Sequence, residues 1–187
     1  MKVQRIMRHG VKTCHPHDSL NDAAQIMWED ACGSVPVVDE EFRPVGFLTD
    51  RDICMAAYTQ GAPLGAMCVA SAMARRVVSC SPEDDVTDAA RVMRENGVRR
   101  LPVVDAEGRL VGLLSLDDLA CEFEHTHNNG LDRELGSLLA HTYGAICHAR
   151  CRLPDRADPP MAATSWHSWM RCAEIPGVAP LLSSRRP

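Results

Sequence analysis

The spacing of apolar and polar residues predicts one short series of strands and helices in the first third of the chain. Leu20, Ala23, Ala24 and Met27 recur at helical spacing, directly after the helix-start signal Asp18-Ser19. An extended segment ending at a proline precedes this helix, and two short apolar runs separated by an acidic turn follow it. Another helix is expected to begin at Thr49. The predicted order is therefore β-α-β-β-α.

The same pattern recurs 66 positions later without a gap. Residues 6–53 and 72–119 are identical at 20 of 48 aligned positions, which is the signature of an internal repeat. One copy of about 50 residues is too small to bury a substantial core alone. We therefore expect an α/β (α+β) fold in which two β-α-β-β-α repeats, related by a pseudo-twofold, bury their apolar sheet faces against each other. Gly33 and Gly97 are expected to end the first helix of each copy.

The repeat divides the chain into four predicted regions. Residues 1–66 form the first repeat, 67–124 the second, and 125–149 a closing helix. From about residue 150 the sequence has clustered prolines and no periodic apolar face. We therefore expect 150–187 to be disordered or loosely packed.

Composition narrows the class of function. The chain has 187 residues and a net charge of −5, which disfavours nucleic-acid binding. We find no signal peptide and no run of about 20 apolar residues, so the expected location is the cytoplasm, without membrane contact. Nine cysteines are scattered without a CxxC pair, as expected for reduced thiols. The sequence lacks a P-loop, GxSxG, HExxH and the Rossmann glycine pattern, so catalysis is not expected.

Each second strand leads into a hydroxyl residue followed by an aspartate three positions later. These motifs are TDRD at 49–52 and SLDD at 115–118. Such a motif can act as a capping box, in which both side chains satisfy free amides of the helix. The start of a helix also attracts phosphate, because its amides are unpaired and its dipole is positive there. The motifs alone leave both roles open.

With these motifs, both copies resemble CBS domains, the repeats named after cystathionine beta-synthase that pair into one globular module. The resemblance rests on PVVDEEFRPVGFLTDRD and PVVDAEGRLVGLLSLDD, and it extends from residue 3 to about 122. The chain is most similar to small stand-alone bacterial CBS-pair proteins. The resemblance implies that an adenosine-containing ligand binds in the two clefts between the repeats. Thr49 or Ser115 would contact phosphate or ribose, and Asp52 or Asp118 would hold the ribose diol. The strand glycines would let the ligand approach the backbone.

The resemblance also implies that the two clefts differ. A basic residue before the second proline-containing strand meets phosphates in nucleotide-binding relatives, so we expect Arg99 and Arg100 to serve the cleft of Ser115 and Asp118. This cleft would be the better equipped, and its other wall is predicted to contain Thr13, Ser34, Val35 and Pro36. The opposite cleft is predicted to combine Thr49, Asp52, Ser79, Leu101 and Pro102, with Arg51 near the phosphates.

The expected function is a non-catalytic regulatory module for energy sensing. It would bind AMP, ADP or ATP, require no cofactor or metal, and signal occupancy to a client protein or through its own assembly as a homodimer. One alternative is a ligand-free stress-response scaffold in which the motifs only cap helices. Another is a metal- or redox-responsive protein that uses the His/Cys-rich C-terminal region, with the candidate residues His125, His127, His141, Cys147, His148 and Cys151.

Overall fold

The computed structural model describes residues 1–127 and 133–151. The predicted fold class, with two β-α-β-β-α repeats and a closing helix, is confirmed. The first repeat contains α1 (Leu20–Glu29), β1 (Ser34–Val38), β2 (Pro44–Thr49) and α2 (Asp50–Gln60). The second contains α3 (Val86–Asn96), β3 (Arg100–Val104), β4 (Leu110–Ser115) and α4 (Leu116–His127), and α5 (Arg133–Cys151) follows.

Each repeat is built on an antiparallel strand pair. Val35 lies opposite Leu48 in the β1–β2 pair, and Leu101 lies opposite Leu114 in the β3–β4 pair. The extended segment at the start of each repeat adds one parallel bridge, Cys14 to Val37 in the first copy and Cys80 to Val103 in the second. The first predicted strand of each repeat is thus reduced to a single paired residue.

The two repeats exchange the segments that precede them. A 3-10 turn, Val3–Arg5, lies against the second repeat, where the Val3 amide donates to the Asp84 carbonyl at 3.0 Å. The equivalent turn, Val69–Ser71, lies against the first repeat, where the Val69 amide donates to the Asp18 carbonyl at 2.8 Å. Each repeat is therefore completed by the segment that leads into the other.

This exchange produces two apolar cores, where the sequence suggested one shared core. The second-repeat core includes Val3 together with Met93 and Leu114, and the first-repeat core includes Val69 together with Leu48. Helices α1 and α2 pack on the first strand pair, and α3 and α4 pack on the second. Because each sheet is covered by its own helices, each repeat forms its own core, and the repeats depend on each other through the exchanged segments.

Glycine in the second strand of each pair allows one exchanged segment to approach closely. A Cβ on Gly46 would lie 2.6 Å from the Met73 sulfur, and a Cβ on Gly112 would lie 2.9 Å from both the Arg8 carbonyl oxygen and the Met7 sulfur. The expectation that these glycines admit a ligand is therefore wrong. Met73 occupies the space beside Gly46, and Met7 and Arg8 occupy the space beside Gly112.

The first helix of repeat one ends at an alanine in the left-handed conformation. Ala31 has a φ of 47°, and the amide of Cys32 donates to the carbonyl of Met27 at 2.9 Å. Gly97, its equivalent in the second repeat, has a φ of 65° and ends α3 as predicted. Gly33 lies beyond this turn, so its predicted role at the helix end is wrong. Both helices end with the same hydrogen bond, although only the second copy has glycine, the residue that best tolerates this conformation.

Replacing Ala31 with glycine should stabilise the protein. An L-residue in the left-handed region costs roughly 1–2 kcal/mol, and the larger chain entropy of unfolded glycine offsets part of that gain. We expect the free energy of unfolding to rise by about 0.5 kcal/mol in urea denaturation. Gly97→Ala is the matched control and should lower it by about 1 kcal/mol. A loss of stability in Ala31→Gly would show that the turn is not strained.

The closing helix α5 packs against α3 and α4. Its Ile146 is fully buried in the second-repeat core. Within the described residues, no helix combines the length and the apolar character that crossing a membrane requires. The tail from residue 152 onward lies outside the described residues, so its predicted looseness remains a prediction.

Candidate functional site

One cavity of about 370 Å³ lies between the start of α2 and the beginning of the second repeat. We call it the arginine cavity, because four of its lining residues are arginines. The first repeat contributes residues around the β2–α2 junction, and the second contributes the segment before its helix and the start of β3. Its lining consists of Gly33, Phe47, Thr49, Asp50, Arg51, Asp52, Ala74, Arg76, Val77, Val78, Gly97, Val98, Arg99, Arg100 and Pro102.

A capping box forms the polar edge of the cavity at the start of α2. The Oδ2 atom of Asp52 accepts hydrogen bonds from the Thr49 amide at 2.9 Å and from the Thr49 hydroxyl at 2.7 Å. The Asp52 amide in turn donates to the Thr49 hydroxyl at 3.2 Å. Among the described residues, the second oxygen, Oδ1, has no hydrogen-bond partner. The motif therefore caps the helix and still leaves one acceptor for a ligand hydroxyl.

The four arginines carry positive charge that no acidic side chain neutralises directly. Among the described residues, none of them has a carboxylate oxygen within 4 Å of its guanidinium nitrogens. Arg76 donates to the Asn96 side-chain oxygen at 3.0 Å, a neutral partner. The guanidinium carbon of Arg99 lies 5.3 Å from the centre of the Tyr143 ring, and its Nε is buried without a partner in the described part of the chain. Such a set of guanidinium groups suits phosphate oxygens.

The second cleft has the same capping box but a different neighbour. Asp118 Oδ2 accepts from the Ser115 amide at 2.8 Å, as in the first repeat. Its Oδ1 accepts from Arg8 Nε at 2.7 Å. This hydrogen bond, and next the charge of the carboxylate, raise the pKa of Arg8. Both oxygens of Asp118 therefore have partners within the chain.

Arg99 and Arg100 lie close to both capping boxes. Both line the cavity of Thr49 and Asp52, whereas we predicted them for the cleft of Ser115 and Asp118. Their backbone adjoins that second capping box, because the Arg99 carbonyl accepts from the Leu116 amide at 3.0 Å and Arg100 lies opposite Ser115 in the β3–β4 pair. Arg51 and Pro102 line the same cavity, as predicted.

Several other predicted site residues do not line the arginine cavity. Val35 and Leu101 are buried in the two cores, with exposures of 1% and 0%, and Ser34 is buried at 5%. Pro36, also buried, accepts a hydrogen bond from the Cys14 amide at 3.2 Å. Ser79, predicted for this cavity, is exposed and does not line it, and Thr13, predicted for the opposite cleft, is half-buried. Val35, Pro36 and Leu101 are buried and therefore stabilise the fold.

The repeat alignment contains a signal for residues that we did not predict. Arg76 lines the cavity although its equivalent is Gly10, and Ala74 lines it although its equivalent is Arg8. Positions that are identical in the two copies maintain the common fold, whereas positions that differ between the copies can differ in function. Comparing the copies for charge differences would have identified Arg8 and Arg76.

The described thiols and imidazoles do not form a second site. Burial raises the pKa of Cys14 and of Cys80 to about 12, so both thiols stay protonated at neutral pH. The seven cysteines whose side chains the structure describes are free. No group of three metal-binding side chains occurs in that part of the chain. The side chains of His127, His148 and Cys151 lie outside the described residues, so the metal alternative remains untested there.

Sequence comparison identifies relatives of the doubled region. Residues 3–58 and 69–124 each match the family model of the CBS domain. A protein from Methanopyrus kandleri is 30% identical over 119 residues, which are 64% of this chain and 61% of that protein. The CBS domain-containing protein YhcV from Bacillus subtilis is 36% identical over 118 residues, which are 63% of this chain and 82% of that protein. The chain thus spans less than two thirds of the first relative and most of the second.

Solved structures with the same fold include two with adenosine compounds. The CBS domain pair of protein MJ0100, in complex with 5'-methylthioadenosine and S-adenosyl-L-methionine, has a TM-score of 0.61 and 26% identity. That similarity covers 67% of this chain and 97% of the other. CBSX2 in complex with AMP has a TM-score of 0.59 and 25% identity, covering 66% and 96% of the two chains.

Proposed function

The chain belongs to the CBS domain family, and we propose that it is a non-catalytic regulatory module that binds an adenine nucleotide in the arginine cavity. CBS-pair domains are generally regulatory, and the solved neighbours include complexes with AMP and with S-adenosyl-L-methionine. The observation that carries the proposal is the meeting of four arginines, none paired with a carboxylate among the described residues, with an available carboxylate oxygen at one helix start.

The groups that line the cavity match the parts of a nucleotide. Guanidinium groups recognise phosphate through charge-assisted hydrogen bonds, and the first turn of α2 adds its dipole. Oδ1 of Asp52 can accept from a ribose hydroxyl, since its other oxygen already serves the cap. Phe47, Val77, Val78 and Val98 supply apolar surface for the base. A ligand with a flat apolar ring, a diol and phosphate would use all three kinds of contact.

The charges of the lining argue against an empty scaffold. Four arginines line the cavity against two carboxylates, those of Asp50 and Asp52, so positive charge is in excess. A purely structural capping box does not require this excess, because repulsion between like charges costs free energy. A bound phosphate would offset this repulsion.

Arg99 offers a route by which binding could be signalled. Its guanidinium group stacks on Tyr143 of α5 while the residue also lines the cavity. A cation over an aromatic ring contributes about 0.5–1 kcal/mol at an exposed site, and a phosphate competes well for the same group. Nucleotide binding would therefore loosen α5 and change the surface offered to a client or to a second copy. Trp28 on α1 and Tyr58 on α2, exposed at 87% and 73%, add apolar surface for such pairing.

Calorimetry with AMP, ADP, ATP and S-adenosylmethionine tests the proposal. Asp52→Ala should weaken nucleotide binding tenfold or more, because a hydrogen bond to a charged group is worth roughly 1.5–3 kcal/mol. Asp118→Ala is the control for loss of the cap, since it removes the equivalent capping box, at a cost of about 1 kcal/mol in stability, together with the ion pair to Arg8. It should leave nucleotide affinity nearly unchanged.

Hydrogen exchange of α5 provides the second measurement. Amides of the segment around Tyr143 should exchange faster in the nucleotide complex than in the free protein if Arg99 leaves the ring. No binding of any adenosine compound by the wild-type protein would contradict the proposed function. Binding without a change in α5 would refute only the signalling route.

A further inference from the structure

We propose that Arg8 occupies the ligand's place at Asp118, so that each chain binds one nucleotide although it has two capping boxes. This inference rests on the proposed function for the arginine cavity. It adds that the second cleft, defined here by Ser115, Asp118 and Arg8, is closed by the chain's own side chain. Arg8 thereby determines which of the two clefts is used.

The ion pair takes the oxygen that a ligand would need. Arg8 Nε lies 2.7 Å from Asp118 Oδ1, and the Asp118 side chain is only 9% exposed. The other oxygen of Asp118 is held by the Ser115 amide at 2.8 Å, as part of the cap. A ribose hydroxyl would have to compete with Arg8 for Oδ1, because the guanidinium group lies directly beside that oxygen. In the arginine cavity, by contrast, the equivalent oxygen of Asp52 has no partner among the described residues.

The backbone holds Arg8 at this position. The Arg8 amide donates to the Leu113 carbonyl at 2.9 Å, and the Leu113 amide donates to the Arg8 carbonyl at 3.0 Å. Because Gly112 has no Cβ, the Arg8 backbone can lie against β4, where a Cβ would be 2.9 Å from its carbonyl oxygen. Fixing the backbone reduces the entropy that the side chain must lose when it pairs with Asp118.

The equivalent residue in the other cleft is Ala74, which sits in the same backbone setting. Its amide and carbonyl exchange hydrogen bonds with Phe47, both at 2.9 Å, as Arg8 does with Leu113. Ala74 lines the arginine cavity and has no side chain that can reach Asp52. The backbones of the two clefts match at this position. The difference between Ala74 and Arg8 therefore leaves the Asp52 carboxylate available and the Asp118 carboxylate occupied.

The charged residues at equivalent positions differ between the two clefts. The four cavity arginines, Arg51, Arg76, Arg99 and Arg100, correspond in the repeat alignment to Asp117, Gly10, Gly33 and Ser34. By the same alignment, Lys12 takes the place of Val78 and Asp117 takes the place of Arg51, so the second cleft has a different arrangement of charges. A carboxylate at position 117 repels phosphate where the arginine cavity has a guanidinium group. The occupied carboxylate of Asp118 and the charge of Asp117 both disfavour a nucleotide in the second cleft.

Calorimetry on the full chain tests this inference through two reciprocal substitutions. Arg8→Ala should allow one additional adenosine per chain to bind compared with the wild type, because adenosine needs the diol acceptor and no phosphate partner. Ala74→Arg should place an arginine beside Asp52 and weaken ATP binding at least tenfold. Ala74→Met is the matched control for side-chain bulk, and it should weaken ATP binding by less than Ala74→Arg does.

The outcomes separate this inference from the proposed function. If Arg8→Ala gains no adenosine site, or if the wild-type chain binds two ATP molecules, Arg8 does not close the second cleft. Equal effects of Ala74→Arg and Ala74→Met would also overturn it, because bulk alone would explain the loss. If the wild type binds no ATP, the proposed function fails, yet a gained adenosine site in Arg8→Ala would still support the role of Arg8.

Discussion

Replacing Arg76 and Arg100 together by glutamine is expected to lower the affinity for ATP by about 100-fold or more. Each charge-assisted hydrogen bond to phosphate is worth roughly 1.5–3 kcal/mol, and 1.4 kcal/mol corresponds to a factor of ten in affinity. Neither arginine has a carboxylate partner among the described residues, so their removal leaves no buried anion unpaired. The free energy of unfolding should therefore change little. Calorimetry and urea denaturation measure the two quantities separately.

A second double variant controls for the change in net charge. Arg75 and Arg94 are exposed and do not line the arginine cavity, although Arg75 is adjacent in sequence to Arg76. Arg75→Gln with Arg94→Gln removes the same two charges and should lower ATP affinity less than threefold, through long-range electrostatics alone. Equal losses in the two double variants would mean that the cavity does not hold the phosphates. Adenosine binding should be similar in both.

The sequence predicted the fold well because the same spacing and motifs occur in both copies of the repeat. The helical spacing from Leu20 to Met27, the PVVD runs and the T/S-x-x-D motifs each occur twice, so one interpretation had to satisfy both copies. The capping boxes at Thr49 and Ser115 formed where the pattern placed them. Local chemistry decides features of this kind.

The sequence did not indicate which segment of one repeat packs against the other. The exchange of the Val3 and Val69 segments depends on long-range docking, which short apolar runs cannot specify. For the same reason the sequence did not show that Arg99 and Arg100, interpreted as phosphate contacts, line the cavity of Thr49 and Asp52. Side-chain types indicated the kind of ligand, and only the packing of the two repeats showed which residues meet.

The exchanged N-terminal segment leads to a second large expected effect. Val3 is fully buried in the second-repeat core, although it lies about 80 residues before most of that core in sequence. Val3→Asp would bury a carboxylate without a cationic partner in this core, a change that typically costs 3 kcal/mol or more. We expect urea denaturation to show a loss of about that size. Gln4→Asp, in the same turn but on an exposed residue, should cost less than about 1 kcal/mol.

The location of the damage distinguishes segment exchange from a general effect of charge. Undocking of Val3–Arg5 should raise hydrogen exchange first in α3 and β3, which share the core with Val3, while β1 and β2 keep their protection. Val69→Asp should produce the reverse, because Val69 completes the core around Leu48. Equal loss of protection in both repeats for both variants would argue for one fused core. A reciprocal pattern would show that each repeat is stabilised by the segment leading into the other, the same segments that place Arg8 and Ala74 at the two carboxylates.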